Sequence, residues 1–158
     1  MILASAQTKP KRGDVNANLK DHFNFVEVAS TNGADLIVFP EMSITGYERV
    51  DAKKLCFVEN DPRLDRLKKL AVYNRIIIVA GAPVMISNNL FIGSFIISTD
   101  GNISIYTKQF LHGGEEPYFK PSFDHNPTIE IGDQRASFAI CFDIENPLHL
   151  ENASKAKS

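Results

Sequence analysis

Apolar residues along this chain recur at two spacings, and the switches between them mark out its elements. Ile2 to Gln7 is a short apolar run and predicts a first buried strand. Gly13-Asp14 then opens a helix, with Asp14 at the N-cap. Val15, Leu19, Phe23, Val26 and Ala29 put one apolar stripe along it, and Asn32-Gly33 ends it. Leu36 to Phe39 is a continuous apolar strand stopped by Pro40, and Ser43 to Tyr47, with Gly46, is a loop. Asp61-Pro62 pairs a cap with a first-turn proline, so a second helix follows, burying Leu64, Leu67, Leu70 and Ala71. Ile76 to Ala80 is β-branched and predicts an inner strand. Leu90–Ser98 and Ile103–Thr107 flank Asp100-Gly101 as a hairpin. Thr128–Ile131 and Arg135–Ile140 flank Gly132-Asp133 as another. Between the hairpins, Gln109 to His125 is rich in charge, Gly and Pro and is long for a plain connection, which favours a functional loop. Asn146-Pro147 starts a last helix, with Leu150, Ala153 and Ala156 at helical spacing. Lys155 to Ser158 brings neither a capping glycine nor a following element, so the chain reads as cut inside that helix.

Alternating strands and helices predict an α/β protein, and 158 residues suffice for one domain with a real core. Composition narrows the function mainly by exclusion. The chain is 44% hydrophobic and 23% charged with a net charge of −2, which offers no general attraction to nucleic acid or to an anionic membrane. Cys56 and Cys141 are the only cysteines, too few for a disulfide scaffold and suited to a reducing cytosol. The four histidines are scattered and no CxxC or HExxH spacing occurs, so neither a metal site nor a cofactor is expected. The longest apolar stretch, Ile76 to Ile86, contains Gly81 and Pro83 and is too short to span a bilayer.

Three polar residues stand out against this pattern. Glu41, Lys108 and Cys141 each sit just past an apolar, strand-like run. Groups at the carboxyl ends of strands tend to converge on one crevice. A carboxylate, an ammonium and a thiol gathered there are the base, the charge stabiliser and the nucleophile of acyl transfer. Taken singly, each has a duller role: an inert core thiol, a solvated loop glutamate and an exposed strand-end lysine. Cys56 has no such setting and reads as core.

Read together, the segments resemble the nitrilase superfamily of carbon–nitrogen hydrolases. Phe39-Pro-Glu-Met-Ser-Ile-Thr-Gly-Tyr47 resembles its glutamate motif, Tyr106-Thr-Lys-Gln-Phe-Leu-His112 its lysine motif, and Ile140-Cys-Phe-Asp-Ile-Glu-Asn-Pro147 its nucleophile motif. The resemblance runs from Ile2 to the chain's end. It implies a four-layer α-β-β-α sandwich, of which residues 1–158 would be a single domain with its C-terminal part missing. It implies catalytic roles for Glu41, Lys108 and Cys141. It also implies a supporting glutamate, which Glu115 matches most closely by spacing with Glu116 a near rival; the Phe142 backbone N–H is expected as a second donor beside Lys108. Asp143 is expected to cap nearby backbone N–H groups and fix the turn carrying Cys141. The chain departs from the family at three places: Glu145 stands where an arginine is common, Leu148 where a glutamate is, and Ser122 where a glycine is. Losing the arginine puts a carboxylate-bearing substrate in doubt.

The function that follows is hydrolysis of a non-peptide carbon–nitrogen bond in an amide, N-carbamoyl compound or nitrile, through a thioester on Cys141. The expected partner is that small molecule, without metal, cofactor, nucleic acid or membrane, in a cytoplasmic protein that pairs as a homo-oligomer in many relatives. Two other readings stay open: a non-catalytic remnant or assembly partner, and a glutamine-amidase module supplying ammonia to a synthetase. A Cys–His protease using His112 or His149 lacks any supporting signature.

Overall fold

The computed structural model describes residues 1–155; the predicted helical position Ala156 lies outside them. Its centre is a five-stranded sheet in the order β1 (Leu3–Ser5), β2 (Leu36–Val38), β3 (Ile77–Ile86), β4 (Asn89–Ile97), β5 (Ile103–Thr107). The first three strands are parallel and the last three antiparallel. Helix α1 (Val15–Thr31) joins β1 to β2, and the short α2 (Ala52–Leu55) and α3 (Asp65–Asn74) lie between β2 and β3. A two-stranded sheet, β6 (Ile129–Ile131) and β7 (Gln134–Ala136), and helix α4 (Pro147–Lys155) complete the described chain. The α/β expectation therefore holds.

Period-2 alternation sorts the central sheet into two faces. Ile37, Ile78, Ala80, Phe95 and Ile97 turn to α1 and α3, where Leu19, Val26, Leu67 and Ala71 complete one core. Leu36, Ile77, Val79, Ile92, Ile96 and Tyr106 turn the other way and meet Met42, Phe119, Ile131 and Ile140 in a second core. The caps read from sequence are present. Asp14 accepts from Ala17 N (3.0 Å), Asp61 from Arg63 N (3.0 Å) and the Asn146 side chain from Leu148 N (3.1 Å).

Several boundaries differ from the sequence expectation. Strand β3 does not stop at Ala80 but continues to Ile86 through Gly81 and Pro83. The Pro83 carbonyl, which accepts from Phe57 N, points away from β4, so the missing proline N–H costs the β3–β4 ladder nothing. The hairpin closes at Ser87-Asn88, both in the left-handed region (φ 47° and 64°). The second helix begins as a 3-10 turn at Pro62–Leu64. Leu70 is only partly buried on the core. Cys56 is a half-buried thiol that donates to Lys53 O at the end of α2 (3.2 Å), not a core residue. In α4 the buried residue is His149, while Leu150 is exposed and Ala153 half-buried. Strand β7 ends at Ala136, and Ser137 to Ile140 run without a ladder partner among the described residues.

Candidate active site

Glu41 sits on a turn that begins where β2 ends. Phe39 N still donates to Val79 O on β3 (2.8 Å), and the chain then doubles back so that Ile44 N reaches Gly81 O (3.0 Å). This approach requires Gly81. A Cβ there would lie 2.6 Å from Met42 N and 2.8 Å from Pro40 O, both backbone atoms that cannot swing aside. His22 of α1 holds the turn from behind. Its Nε2 lies 2.9 Å from Ser43 Oγ and its Nδ1 2.7 Å from Asn18 O. A carbonyl only accepts, so Nδ1 carries the proton and Nε2 accepts from Ser43. Burial pushes the His22 imidazole down from its ordinary value, which keeps it neutral.

Lys108 directly follows β5, on the same face as Tyr106, and is fully buried. Its Nζ donates to Glu41 Oε1 at 2.8 Å and to Glu115 Oε1 at 3.0 Å. Glu115 is also buried. It accepts from the Tyr47 hydroxyl through Oε1 and from His112 N through Oε2 (2.8 Å). Two carboxylates thus share one ammonium, but unequally, since Glu41 has one donor and Glu115 has three, two from side chains and one from the His112 backbone. Burial raises the Glu41 carboxyl above its ordinary value; Lys108 pulls it back, and the charges of Glu115 and Asp143 push it up again. For Lys108, burial lowers the ammonium, yet the bonds to Glu41 and Glu115 outweigh that and hold it above its usual range.

Cys141 approaches from the other side on a different kind of support. It is the first residue of a 3-10 turn, Cys141–Glu145, and takes a left-handed backbone with φ 48°, uncommon for a residue with a side chain. Its thiol is exposed and free. Partial burial of the sulfur and the charges of Glu41 and Glu115 push the thiol up, Lys108 and a hydrogen bond from the Phe142 amide draw it down, and the upward pull wins, so it stands above its ordinary value. All three charged groups therefore act on the sulfur, although none hydrogen-bonds to it among the described contacts.

One residue ties the two supports together. Asp143 is fully buried and its Oδ1 accepts from Gln109 N (3.0 Å) and Phe110 N (2.8 Å), just past Lys108. Its Oδ2 accepts from the Tyr106 hydroxyl (2.6 Å) and from Ile140 N (2.9 Å), just before Cys141. The expected capping role is present, but it reaches across the molecule. Tyr106, Tyr47 and Gly81 were not singled out from the sequence. Tyr106 carried a usable signal, since its two-residue offset from Lys108 on a strand gives both the same face.

The remaining expectations divide. Glu115, not Glu116, joins the cluster; Glu116 is exposed and accepts from the backbone of its own turn, Gly114 N at 2.9 Å among the donors. Half-buried Phe142 lies edge-on to His112, ring centroids 5.5 Å apart. His149 is buried with Nδ1 3.0 Å from Gln109 Oε1, and no described contact joins it or His112 to the thiol. Among the described residues no group of three or more His, Cys, Asp or Glu is placed to hold a metal ion, and no helix is long and apolar enough to cross a membrane.

This mixed α/β sheet, with two glutamates and a lysine near a free thiol, has counterparts among known proteins. The carbon–nitrogen hydrolase family model matches residues 2–156, and the chain belongs to that family, within the nitrilase superfamily. It is 32% identical over 153 residues to the glutamine-dependent NAD(+) synthetase of Thermotoga maritima, covering 90% of this chain and 26% of that one. It is 31% identical over 161 residues to an arylacetonitrilase of Aspergillus kawachii, covering 92% and 49%. An amidase from Nesterenkonia sp. shares the fold with a TM-score of 0.82 at 24% identity, over 98% of this chain and 60% of that structure. The chain thus spans about half the length of the nitrilase and about a quarter of the synthetase.

Proposed function

We propose that Glu41, Lys108 and Cys141 form the reacting part of a hydrolase for non-peptide carbon–nitrogen bonds. The observation that carries this reading is the lysine cluster: Nζ lies 2.8 Å from Glu41 and 3.0 Å from Glu115, with all three charges acting on the Cys141 thiol. In an amide substrate, Glu41 takes the thiol proton as sulfur forms a bond to the carbonyl carbon. The oxygen becomes negative beside the Lys108 ammonium and the Phe142 N–H. Collapse of this intermediate breaks the C–N bond, and Glu41 returns the proton to the departing amine. Water then attacks the thioester carbon and gives a proton to Glu41, and the C–S bond breaks to restore the thiol. Glu115 positions Lys108 throughout. A nitrile would enter by the same attack on its carbon, forming a thioimidate in place of the tetrahedral oxyanion.

The relatives support the class of chemistry without fixing the substrate. In the Nesterenkonia amidase, a glutamate-to-glutamine mutant carries acrylamide by Michael addition at the active site cysteine. Intact-mass spectrometry after mixing with a panel of amides and nitriles tests the proposal. An acyl increment on Cys141, absent from Cys141→Ala, is expected; turnover undiminished in Cys141→Ala would remove it. A second reading is favoured by the likeness to glutamine-dependent NAD(+) synthetases, in which the chain would release ammonia from glutamine for a synthetase. Glutamine in the same panel separates the two.

A further inference from the structure

The loop that follows Glu41 grips the loop that carries Glu115 at two successive residues. The Tyr47 hydroxyl donates to Glu115 Oε1, and Arg49 Nη1 donates to Gly114 O at 2.8 Å. The Arg49 guanidinium also lies over the Tyr47 ring, 5.9 Å from its centroid. Tyr47 is 46% exposed, so the phenol is placed by these contacts and not by enclosure in a core. Its hydroxyl ends on the same oxygen that Lys108 uses.

That shared oxygen bears on which glutamate can work as a base. The cluster holds two carboxyls and one ammonium in a buried place, so a proton arriving there has two seats. Hydrogen bonds to a charged carboxylate favour keeping it charged. Glu115 receives three such donors, from Tyr47, Lys108 and His112, and Glu41 receives one, from Lys108. We propose that Tyr47 is a positioning residue: its hydroxyl keeps Glu115 an acceptor beneath Lys108 and leaves Glu41 as the seat for the moving proton. The inference rests on the reading of Glu41 as base and adds how the molecule chooses between two glutamates. The groups that face Glu41 are Lys108, Glu115 and Asp143, with the Cys141 thiol nearby; those that face Tyr47 are Glu115, Glu41 and Arg49. The desolvation that raises Glu41 agrees with this choice.

Carbon-13 NMR of protein labelled at the glutamate carboxyls tests it on the full chain, with Glu41→Gln and Glu115→Gln used to assign the two signals. In Tyr47→Phe the upper apparent midpoint of the coupled pair is expected to rise by about half a unit to one unit. The Arg49→Gln variant loosens the same loop without removing a donor to the carboxylate, and its midpoints should move less than those of Tyr47→Phe. Midpoints that are unmoved in Tyr47→Phe, or that move equally in Arg49→Gln, would overturn the proposal. Acyl trapping on Cys141 is a separate readout: its failure with the titration shift intact counts against the hydrolase reading, and the reverse pattern counts against Tyr47 alone.

Discussion

The site draws on two regions built in different ways. Residues 3–107 form the five-stranded sheet with α1 and α3 against it, and β3 alone pairs nine residues with β4. Residues 129–155 hold a ribbon of three pairs, a run without ladder partners, a 3-10 turn and one helix. Glu41 and Lys108 belong to the first region or its margin, and the sheet sets their separation through ladder bonds and the Gly81 contact. Cys141 belongs to the second, where backbone pairing is sparse and side chains hold its turn to the segment after Lys108, chiefly the Asp143 carboxylate, with His149 on Gln109 and Phe142 against His112 beside it. The contrast teaches that the carboxylate–ammonium half of the site is fixed by the sheet, while the sulfur half is fixed mainly by side-chain contacts.

The largest effect should come from cutting that tie. Asp143→Ala strands three backbone N–H groups and the Tyr106 hydroxyl in a buried place, each a loss of about 1–3 kcal/mol if unsatisfied. Urea unfolding should show a loss of about 3 kcal/mol or more, and limited proteolysis should cut first between residues 137 and 145 while the sheet region persists. A change below about 1 kcal/mol would mean that the second region is held by something else. Next is Gly81→Ala, which tests the first region. Its Cβ must displace the Glu41 turn, so about 2 kcal/mol of stability and most adduct formation on Cys141 should disappear together. Retention of full adduct formation would show that the turn tolerates the shift.

Tyr106→Phe is a milder probe of the same boundary. It removes one of four donors to Asp143 and leaves the Lys108 bonds in place, so about 1 kcal/mol should be lost in thermal melting. A larger loss would assign Tyr106 a packing role beyond this bond. The smallest effect concerns His22, which stands behind the Glu41 turn. Its folded value lies below the ordinary 6.5, so it contributes stability above that pH. The contribution falls as pH drops below 6.5, because the unfolded chain then binds a proton that the folded one refuses. His22→Phe keeps the stack on Phe39 (centroids 4.0 Å apart) and should flatten this part of the stability–pH curve. An unchanged slope would remove His22 as its source.

Much of the first region was legible in the sequence, because its signals are local. Asp14, Asn32-Gly33, Asp61-Pro62 and Asp100-Gly101 state helix and hairpin ends with chemistry contained in two or three residues. The continuation of β3 was hidden, since Gly81 and Pro83 look like breakers until the missing donor and missing Cβ are placed beside the Glu41 turn. In the second region the alternation through Ser137 to Ile140 reads as strand, but a ladder needs a neighbour, and none lies among the described residues. Glu41, Lys108 and Cys141 could be singled out from sequence as candidates. Spacing leaned to Glu115 without deciding against Glu116, and the reach of Asp143 and Tyr47 was hidden, because those two bond residues 33 to 68 positions away.

The most direct test of three groups acting in one place is the titration of the Cys141 thiol, read as the pH dependence of its iodoacetamide alkylation with Cys56 as internal reference. A shared site predicts opposite shifts: Glu41→Gln removes a negative neighbour and moves the Cys141 midpoint down, whereas Lys108→Gln removes a positive one and moves it up. The Cys56 curve should stay in place in both. A Cys141 midpoint that ignores both substitutions would contradict the placement of the acid, the amine and the sulfur in a common site.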